Sequence, residues 1–253
     1  MEEDGRALVV RISNPARANA LDDAILDSLV SLLNGPRAAA ARVILLSGDG
    51  DRHFSAGLEL GDRPVEELVD RLRSGERRLG AAAGAIAAGP APVIGVLNGA
   101  AFGGALELAM ACDWRIASRG ARIGMPASRI GVVYAADGLR RFVAAMGPAG
   151  ARRLFLTGAP VDADEAFALG LVEQVVEPDE LWPAALAAAA DVAAGAPLAV
   201  AGTRAILDAM ADGGPGEVEQ AAMRWRARAF GSADVREGLQ AFADKRRAVF
   251  EGR

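Results

Sequence analysis

The amino-acid sequence predicts a mixed α/β fold with a helical C-terminal region. In the first half of the chain, short apolar runs typical of buried strands alternate with amphipathic helical patterns. From residue 148 onward the patterns are almost all helical. At 253 residues and 52% hydrophobic content, the chain is long enough to bury one large core or two small ones.

Five segments of the first half have the apolar character of short strands, and a sixth follows later. They are residues 7–12, 43–46, 92–97, 114–117, 122–124 and 171–176. Residues 48–61 are predicted to form a loop. The strand-to-helix units recur at intervals of roughly 40 to 50 residues, which is long enough for a repeated ββα turn.

Helices are predicted wherever apolar residues recur at a helical spacing. The first is 21–33, with Asp22 and Asp23 suited to its first turn. A long helix should cover 64–88, and another should follow the glycine pair at 103–104. The later helices are predicted at 138–146, 148–156, 162–169, 178–194, 197–211, 216–229 and 233–246.

The charge and the rare residues exclude several classes of function. A net charge of −5 argues against general nucleic-acid binding, which needs a basic surface. With Cys112 as the single cysteine and His53 as the single histidine, neither an intrachain disulfide nor a Cys/His zinc site is expected, and no metal site is predicted. We expect a cytoplasmic protein, because no secretory h-region and no apolar run of about 18 residues occurs.

One stretch, NGAAFGGALELAMACD at residues 98–113, combines the end of a strand, a glycine turn and the start of a helix. Gly103 and Gly104 let a ligand approach the backbone, and the first amides of the helix lack partners within it. They can therefore bind an oxygen that gains negative charge. Glu107 follows Gly104 by three residues and lies on the same helix face. An amide donor and a carboxylate facing one substrate are the parts that enolate chemistry needs.

A second junction of strand and loop precedes this one in the chain. The run SGDGDRHFSAGLEL begins at Ser47 and passes through Ser55, Ala56 and Gly57. If the Ala56 N–H and the Gly104 N–H converge, they form a two-donor oxyanion hole. Taken alone, either turn is more often a simple connection between elements.

Taken together, the motifs resemble the crotonase superfamily, also called the enoyl-CoA hydratase/isomerase family. The resemblance spans nearly the whole chain in the family's order. It is carried by Asn19-Ala20-Leu21, Phe54-Ser55-Ala56-Gly57, Asn98-Gly99, Gly103-Gly104, Glu107, Cys112-Asp113, Leu156-Thr157-Gly158, residues 166–172 and the tail AFADKRR at 241–247.

The resemblance implies a ββα superhelical core, which we assign to residues 1–195 together with the active site. It implies a helical trimerisation region at 196–253, and hence a homotrimer or a dimer of trimers. The implied substrate is a coenzyme A thioester, with no other cofactor. Ala56 and Gly104 match the family's two oxyanion-hole amides.

The resemblance also implies a set of substrate-binding residues. Arg17, Phe242 and Lys245 match positions that contact the nucleotide end of coenzyme A, although the tail can serve a neighbouring subunit and is otherwise a solvated basic helix face. The complete predicted set is Arg17, Ala20, Ser55, Gly57, Leu58, Gly103, Phe242 and Lys245.

The sequence departs from the family at the second of the two glutamates that hydratases use. That position holds Ala127, which cannot titrate. Three residues are candidate substitutes: Asp137, which is otherwise a helix N-cap, Tyr134, which is otherwise a packing residue, and His53, which is otherwise a surface loop residue. The stretch around Tyr134 is similar to methylmalonyl-CoA decarboxylases, which also lack the second glutamate.

The first hypothesis for the reaction is enoyl-CoA hydratase/isomerase chemistry with Glu107 acting on water. The alternative is decarboxylation of a malonyl-type thioester, with Tyr134 orienting the leaving carboxylate. A coenzyme A-binding protein with little catalysis also remains open. A dinucleotide enzyme is disfavoured, since the glycines at 99–104 lack the GxGxxG spacing.

Overall fold

The computed structural model describes residues 6–61 and 64–253, and it confirms the mixed α/β architecture. The strands are β1 (Ala7–Ile12), β2 (Val43–Gly48), β3 (His53–Ser55), β4 (Val93–Leu97), β5 (Ala100–Phe102), β6 (Trp114–Ser118), β7 (Arg122–Gly124), β8 (Val161–Asp162) and β9 (Gln174–Val176). The helices are α1 (Asp23–Leu33), α2 (Pro36–Ala40), α3 (Val65–Ala87), α4 (Gly104–Met110), α5 (Ala136–Thr157), α6 (Ala163–Ala168), α7 (Leu181–Ala193), α8 (Pro197–Asp212), α9 (Pro215–Phe230) and α10 (Ala233–Ala243).

From β2 to β7 the strands alternate between two sheets. The larger sheet has the order β1-β2-β4-β6-β9 with parallel pairs, and the smaller has the order β3-β5-β7-β8 with one antiparallel pair at its end. The units β2-β3-α3, β4-β5-α4 and β6-β7-α5 therefore each place one strand in each sheet before a helix. This is the predicted ββα repeat. We expected the units to recur at a regular interval, but their spacing is uneven. The reason is that α3 has 23 residues and α4 only 7.

The central strands β2 and β4 of the larger sheet are buried on both faces, because their side chains point alternately to two cores. In β2, Ile44 and Leu46 pack into the core formed with α1, α3 and α4, whereas Val43 and Leu45 face the core beneath α7. All six residues of β2 are buried, as is usual for a parallel sheet that is covered on both sides. The loops that follow β2 and β4 are thus anchored on well-packed strands, and these loops carry the two predicted turns.

Several predicted boundaries differ from the structure. The predicted loop at 48–61 contains β3, and the predicted glycine turn at 99–103 contains β5. The helices predicted at 138–146 and 148–156 form one element, α5, which bends at Gly147 (φ 71°) ahead of Pro148. The strand predicted at 171–176 covers only Gln174–Val176, and the last helix ends at Ala243 rather than at residue 246.

The C-terminal helices are joined to the core through Arg204 of α8. Its side chain is 13% exposed, and its Nε donates to Asp113 Oδ1 at 2.6 Å. The other guanidinium nitrogens donate to carbonyl oxygens at the end of α3, those of Ile86 (3.1 Å), Ala87 (2.7 Å) and Gly89 (2.6 Å). Arg204 thereby supplies donors to carbonyls that a helix end leaves without partners.

In one copy of the chain, the C-terminal helices α8, α9 and α10 expose large apolar side chains. These are Leu207, Met210, Met223, Phe230, Leu239 and Phe242. A division of the chain between residues 195 and 196 stays a prediction.

No single membrane-spanning helix and no metal-binding cluster occurs in residues 6–61 and 64–253. No single helix there has both the length and the apolar composition to cross a membrane, and the segments Pro178–Ala193 and Pro197–Ala211 meet those criteria only as a pair bent by 105°. No group of three or more His, Cys, Asp or Glu side chains is placed to hold a metal ion.

Candidate active site

The two predicted turns line a single cavity of about 1190 Å³. The first turn contributes Ala56, Gly57 and Leu58, and the second contributes Gly103 and Gly104. The cavity also contains the remaining predicted catalytic side chains, those of Glu107, Tyr134 and Asp137. The fold therefore brings together residues that lie up to eighty positions apart in the sequence.

Two buried asparagines hold the loop that precedes the first turn. Asn19 Nδ2 donates to the carbonyl oxygens of Asp49 and His53, both at 2.9 Å. Asn98 Nδ2 lies 2.9 Å from Gly50 O and 3.2 Å from His53 O. Both asparagines belong to motifs of the family resemblance, and in the structure their amides fix the backbone of the loop.

The two turns pack directly against each other at Gly57. This glycine has a φ of 93°, and a Cβ placed on it would lie 2.6 Å from Phe102 O and 3.4 Å from Gly104 N. A larger residue would therefore collide with the backbone of the second turn as well as adopt a strained conformation. Ser55 Oγ accepts a hydrogen bond from Gly57 N–H at 3.1 Å and fixes the start of the first turn.

The Ala56 amide, predicted to be one of the two oxyanion donors, is already engaged in the structure. Its N–H donates to Ala18 O at 3.0 Å. Since an amide has a single hydrogen, this bond leaves none for a substrate oxygen. The assignment of Ala56 as a donor is therefore corrected, and Ala56 instead ties the first turn to the N-terminal segment.

Leu58, two residues after Ala56, has a backbone N–H that is not used within the turn. Leu21 forms a parallel bridge opposite Leu58, accepting from Glu59 N–H at 2.9 Å and donating to Gly57 O at 2.8 Å. In such a bridge the opposite residue directs its own N–H to the other side of the strand. Within the described part of the chain, neither Leu58 N–H nor Gly104 N–H has a hydrogen-bond partner.

The second turn agrees with the sequence analysis in more detail. Gly103 takes a φ of 53° and a ψ of −122°, which favour glycine, and its N–H donates to Gly124 O at 3.0 Å. Gly104 is the first residue of α4, so its N–H points out of the helix end. The Gly104 amide and the Glu107 carboxylate therefore open into the same cavity, as predicted.

Glu107 is a buried carboxyl group, with 5% of the residue exposed. Burial raises its pKa above the ordinary value, and the nearby Tyr134 hydroxyl and Arg141 guanidinium oppose that rise. Arg141 Nη1 lies 3.8 Å from Glu107 Oε1. A carboxyl group with a raised pKa is suited to exchange protons near neutral pH.

Tyr134 lies against Glu107 and is held there by packing. Its ring contacts Phe155 edge-on, with 5.5 Å between centroids, and a Cβ placed on Gly138 would lie 2.9 Å from the ring. The hydroxyl interacts with the Glu107 carboxylate, and no residue of the described chain lies in position to complete a well-aligned hydrogen bond to this buried oxygen. Burial and the adjacent negative charge both raise the pKa of Tyr134. Tyr134 is thus a neutral donor directed at the site.

The other candidates for the missing acid are less well placed. Ala127 is 7% exposed and lines the cavity, so the position of the second glutamate is present but has no carboxyl group. The Asp137 side chain is 86% exposed and pairs with Arg140 at 3.1 Å. It lies in the first turn of α5, where Ala135 is the N-cap, so Asp137 is not a capping residue. His53 is half-buried at the start of β3.

The predicted coenzyme A contacts fall into two groups. Ser55, Gly57, Leu58 and Gly103 belong to the two turns, and Ala20 is buried next to the bridge residue Leu21. By contrast, Arg17 is exposed and Phe242 is 86% exposed, and neither these residues nor Lys245 lines the cavity of the single chain. Their role in binding stays a prediction.

Sequence reasoning missed Arg141 and Gly138. Both lie on α5, and a Cβ on Gly138 would lie 3.2 Å from the same Glu107 Oε1 that Arg141 approaches. The only available signal was their spacing: residues 138 and 141 share a face of the helix that was predicted to begin at 138. No motif marked that face as the one directed at Glu107.

Comparison with known proteins agrees with this geometry. The family model described as Enoyl-CoA hydratase/isomerase matches residues 2–253. The chain belongs to the enoyl-CoA hydratase/isomerase family. It is therefore an enzyme of that family, built on the crotonase fold.

Individual family members match over nearly their whole length. The crotonyl-CoA hydratase of Syntrophomonas wolfei is 34% identical, with 99% of this chain and 96% of that protein covered. The short-chain-enoyl-CoA hydratase of Clostridium acetobutylicum is 31% identical, covering 98% and 95%. The crystal structure of an enoyl-CoA hydratase from Bacillus anthracis superposes with a TM-score of 0.90 at 28% identity, covering 98% and 96%.

Proposed function

We propose that the protein adds water to the α,β-double bond of an enoyl-CoA thioester and catalyses the reverse elimination. The observation that supports this most is the arrangement of one buried carboxyl group, Glu107, beside two unpaired amides, those of Leu58 and Gly104. The names of the hydratases that match this chain point to the same reaction class.

The two amides would bind the thioester oxygen. Addition of water to the β-carbon moves electrons onto that oxygen, and the resulting enolate is stabilised by donors that are already oriented. Because the oxygen carries more charge in the transition state than in the substrate, these hydrogen bonds accelerate the reaction rather than only improving binding. Leu58 takes the role that the sequence assigned to Ala56.

Glu107 would handle the protons of the added water. Its carboxylate removes one proton as the water oxygen bonds to the β-carbon, and the enolate then needs one proton at its α-carbon. Since Ala127 supplies no second carboxyl group, we propose that Glu107 returns the proton it has just taken. Every atom of the water is then accounted for with a single carboxyl group, and Tyr134 stabilises the carboxylate between the two steps.

The test is the Glu107→Gln variant with crotonyl-CoA, followed by mass spectrometry of the thioester. We expect the wild type to add one water and the variant to lose a factor of about 10² to 10⁴ in rate, the usual contribution of a general acid–base. Binding of butyryl-CoA, a saturated analogue, should stay within a few-fold of wild type. Unchanged turnover in the variant would remove Glu107 from the mechanism.

Decarboxylation is a second candidate function, favoured by Ala127 and by the unpaired Tyr134 hydroxyl. Loss of carbon dioxide from a malonyl-type thioester needs the oxyanion hole and one proton donor. Incubation with methylmalonyl-CoA distinguishes the two reactions, because only a decarboxylase removes carbon dioxide. If neither thioester changes while coenzyme A esters bind, a binding protein with little catalysis becomes the better description.

The assembly that we propose is a homotrimer or a dimer of trimers, with coenzyme A entering only as part of the substrate. Exposed apolar side chains on α8 to α10, Phe242 among them, support burial of these helices against another copy. In that arrangement Phe242 and Lys245 would contact the nucleotide of a substrate bound to the neighbouring chain. Analytical ultracentrifugation of the wild type and of the Phe242→Ala variant tests the proposed assembly. A monomeric wild type would contradict it.

A further inference from the structure

Arg141 is a half-buried arginine that lies beside the proposed catalytic carboxyl group. Its side chain is 26% exposed and lines the cavity, yet in the described part of the chain its guanidinium makes no hydrogen bond. Its ion-pair partner in that part of the chain is Glu107 Oε1, at 3.8 Å. Because no other protein group there accepts from the guanidinium, its N–H donors remain available beside the carboxylate.

Within the described part of the chain, Arg141 is the cation that forms an ion pair with Glu107. The arginines that line the same cavity without doing so are Arg73, Arg77 and Arg140. Glu76 approaches from α3 and Asp137 from α5, and both are acidic. Tyr134, in the segment before α5, contributes a neutral hydroxyl. Burial and the two acidic groups all disfavour the ionised form of Glu107, and the Tyr134 hydroxyl and the Arg141 charge act against them.

Arg141 and Gly138 both lie beside the same oxygen of the Glu107 carboxyl group. Arg141 approaches Oε1, and Gly138 leaves room for that oxygen, since a Cβ there would lie only 3.2 Å from it. Oε1 therefore faces α5.

We propose that Arg141 is a positioning residue that keeps Glu107 ionised and turns its Oε1 toward α5, leaving Oε2 for the reacting water. This inference rests on the proposed function, in which Glu107 is the base. It explains how one carboxyl group can serve where the family uses two. With Ala127 in place of the second acid, the charge state of Glu107 controls both proton transfers.

The experiment is the pH profile of kcat/KM for hydration of crotonyl-CoA in Arg141→Met, Arg141→Lys and Arg152→Met. Arg152→Met is the matched control, because it removes an exposed positive charge from the same helix beyond the bend. Loss of a close opposite charge raises the pKa of Glu107 further. We therefore expect the acid limb in Arg141→Met to move up by at least about one pH unit.

At pH values below the pKa of Glu107, a shift of one pH unit lowers the activity of Arg141→Met about tenfold, and activity returns at higher pH. Arg141→Lys should restore most of the profile, and Arg152→Met should leave it unchanged. A lower plateau without any movement of the acid limb would overturn the inference, because a purely structural defect changes activity equally at all pH values.

A second measurement separates this inference from the proposed function. Infrared difference spectra between each protein and its Glu107→Gln counterpart follow the titration of the Glu107 carboxyl group without substrate. A higher midpoint in Arg141→Met is expected. Equal midpoints would overturn the inference even if the enzyme hydrates crotonyl-CoA, whereas a raised midpoint without any hydration would overturn only the proposed function.

Discussion

The two turns that meet at the cavity present their amides in different ways. In the second turn the proposed donor is Gly104, the first residue of α4, whose N–H lacks a partner because a helix start has no acceptor for it. In the first turn the proposed donor is Leu58, whose N–H is left over because its bridge partner Leu21 bonds to the residues on either side of it. One donor depends on local structure, and the other depends on pairing with a distant strand segment.

This difference explains which donor could be found from the sequence. A glycine pair followed by a helical pattern is a local signal, so Gly104 and Glu107 were predicted together. Whether Ala56 or Leu58 carries the free amide depends on how residues 18–21 lie against the turn. Removing the Gly104 amide and the Leu58 amide in separate variants therefore tests this difference between the two turns.

The largest effect is expected from Gly104→Pro, which removes the donor at the helix start. Loss of one oxyanion donor costs about 10² to 10³ in rate, equivalent to roughly 3 to 4 kcal/mol. Gly104→Ala is the control, because it keeps the N–H while adding a Cβ that would lie 2.9 Å from Leu79. In kinetics of crotonyl-CoA hydration, the loss of rate in Gly104→Pro should be at least tenfold greater than the loss in Gly104→Ala. Equal losses would mean that packing against Leu79, not the amide, accounts for the defect.

A comparable effect on rate is expected from replacing the Leu58 amide with an ester, which deletes the N–H but keeps the side chain. We expect kcat/KM to fall by about 10². The matched ester at Ala56 removes the bond to Ala18 O instead, so it should reduce stability by about 1 kcal/mol and leave the rate within a few-fold. If the ester at Ala56 abolished turnover and the ester at Leu58 did not, Ala56 would be the oxyanion-hole donor, as the sequence analysis predicted.

A smaller effect, mainly on stability, is expected from Gly57→Ala compared with Gly103→Ala. Both glycines have positive φ values, 93° and 53°, so each alanine should cost about 1 to 3 kcal/mol in strain. Only at Gly57 does the added Cβ also meet backbone, at 2.6 Å from Phe102 O. Urea unfolding should therefore show Gly57→Ala to be the less stable variant. The reverse order would contradict close packing between the two turns.

The overall architecture was predictable because it depends on patterns that extend over many residues. Buried runs such as β2 and β4, and the 23-residue helix α3, follow from apolar periodicity. The strands β3 and β5 were missed because each has three residues in a glycine-containing stretch. Strands so short are defined by the neighbours they pair with, and a single sequence does not reveal that pairing.

The site was predictable where a residue's chemistry is marked by a motif. Glu107 and Tyr134 were predicted in this way and both line the cavity, while their catalytic roles stay predictions. The absence of a carboxyl group at Ala127 could be read directly from the sequence. Arg141 was not identified, because it lies in an ordinary amphipathic helix and becomes relevant only when α5 packs beside α4. Asp137, by contrast, has suitable chemistry but an 86% exposed side chain, and sequence position does not report where a side chain points.

Arg204 has a consequence for how the molecule unfolds. It extends from α8 to the last carbonyls of α3 and to Asp113, which itself accepts from Val93 N–H at the start of β4. Detaching the C-terminal helices would therefore remove the guanidinium donors from the end of α3 and the cation from Asp113. Separating the two regions would therefore destabilise the core. For this reason we expect the C-terminal helices and the core to unfold as one cooperative unit.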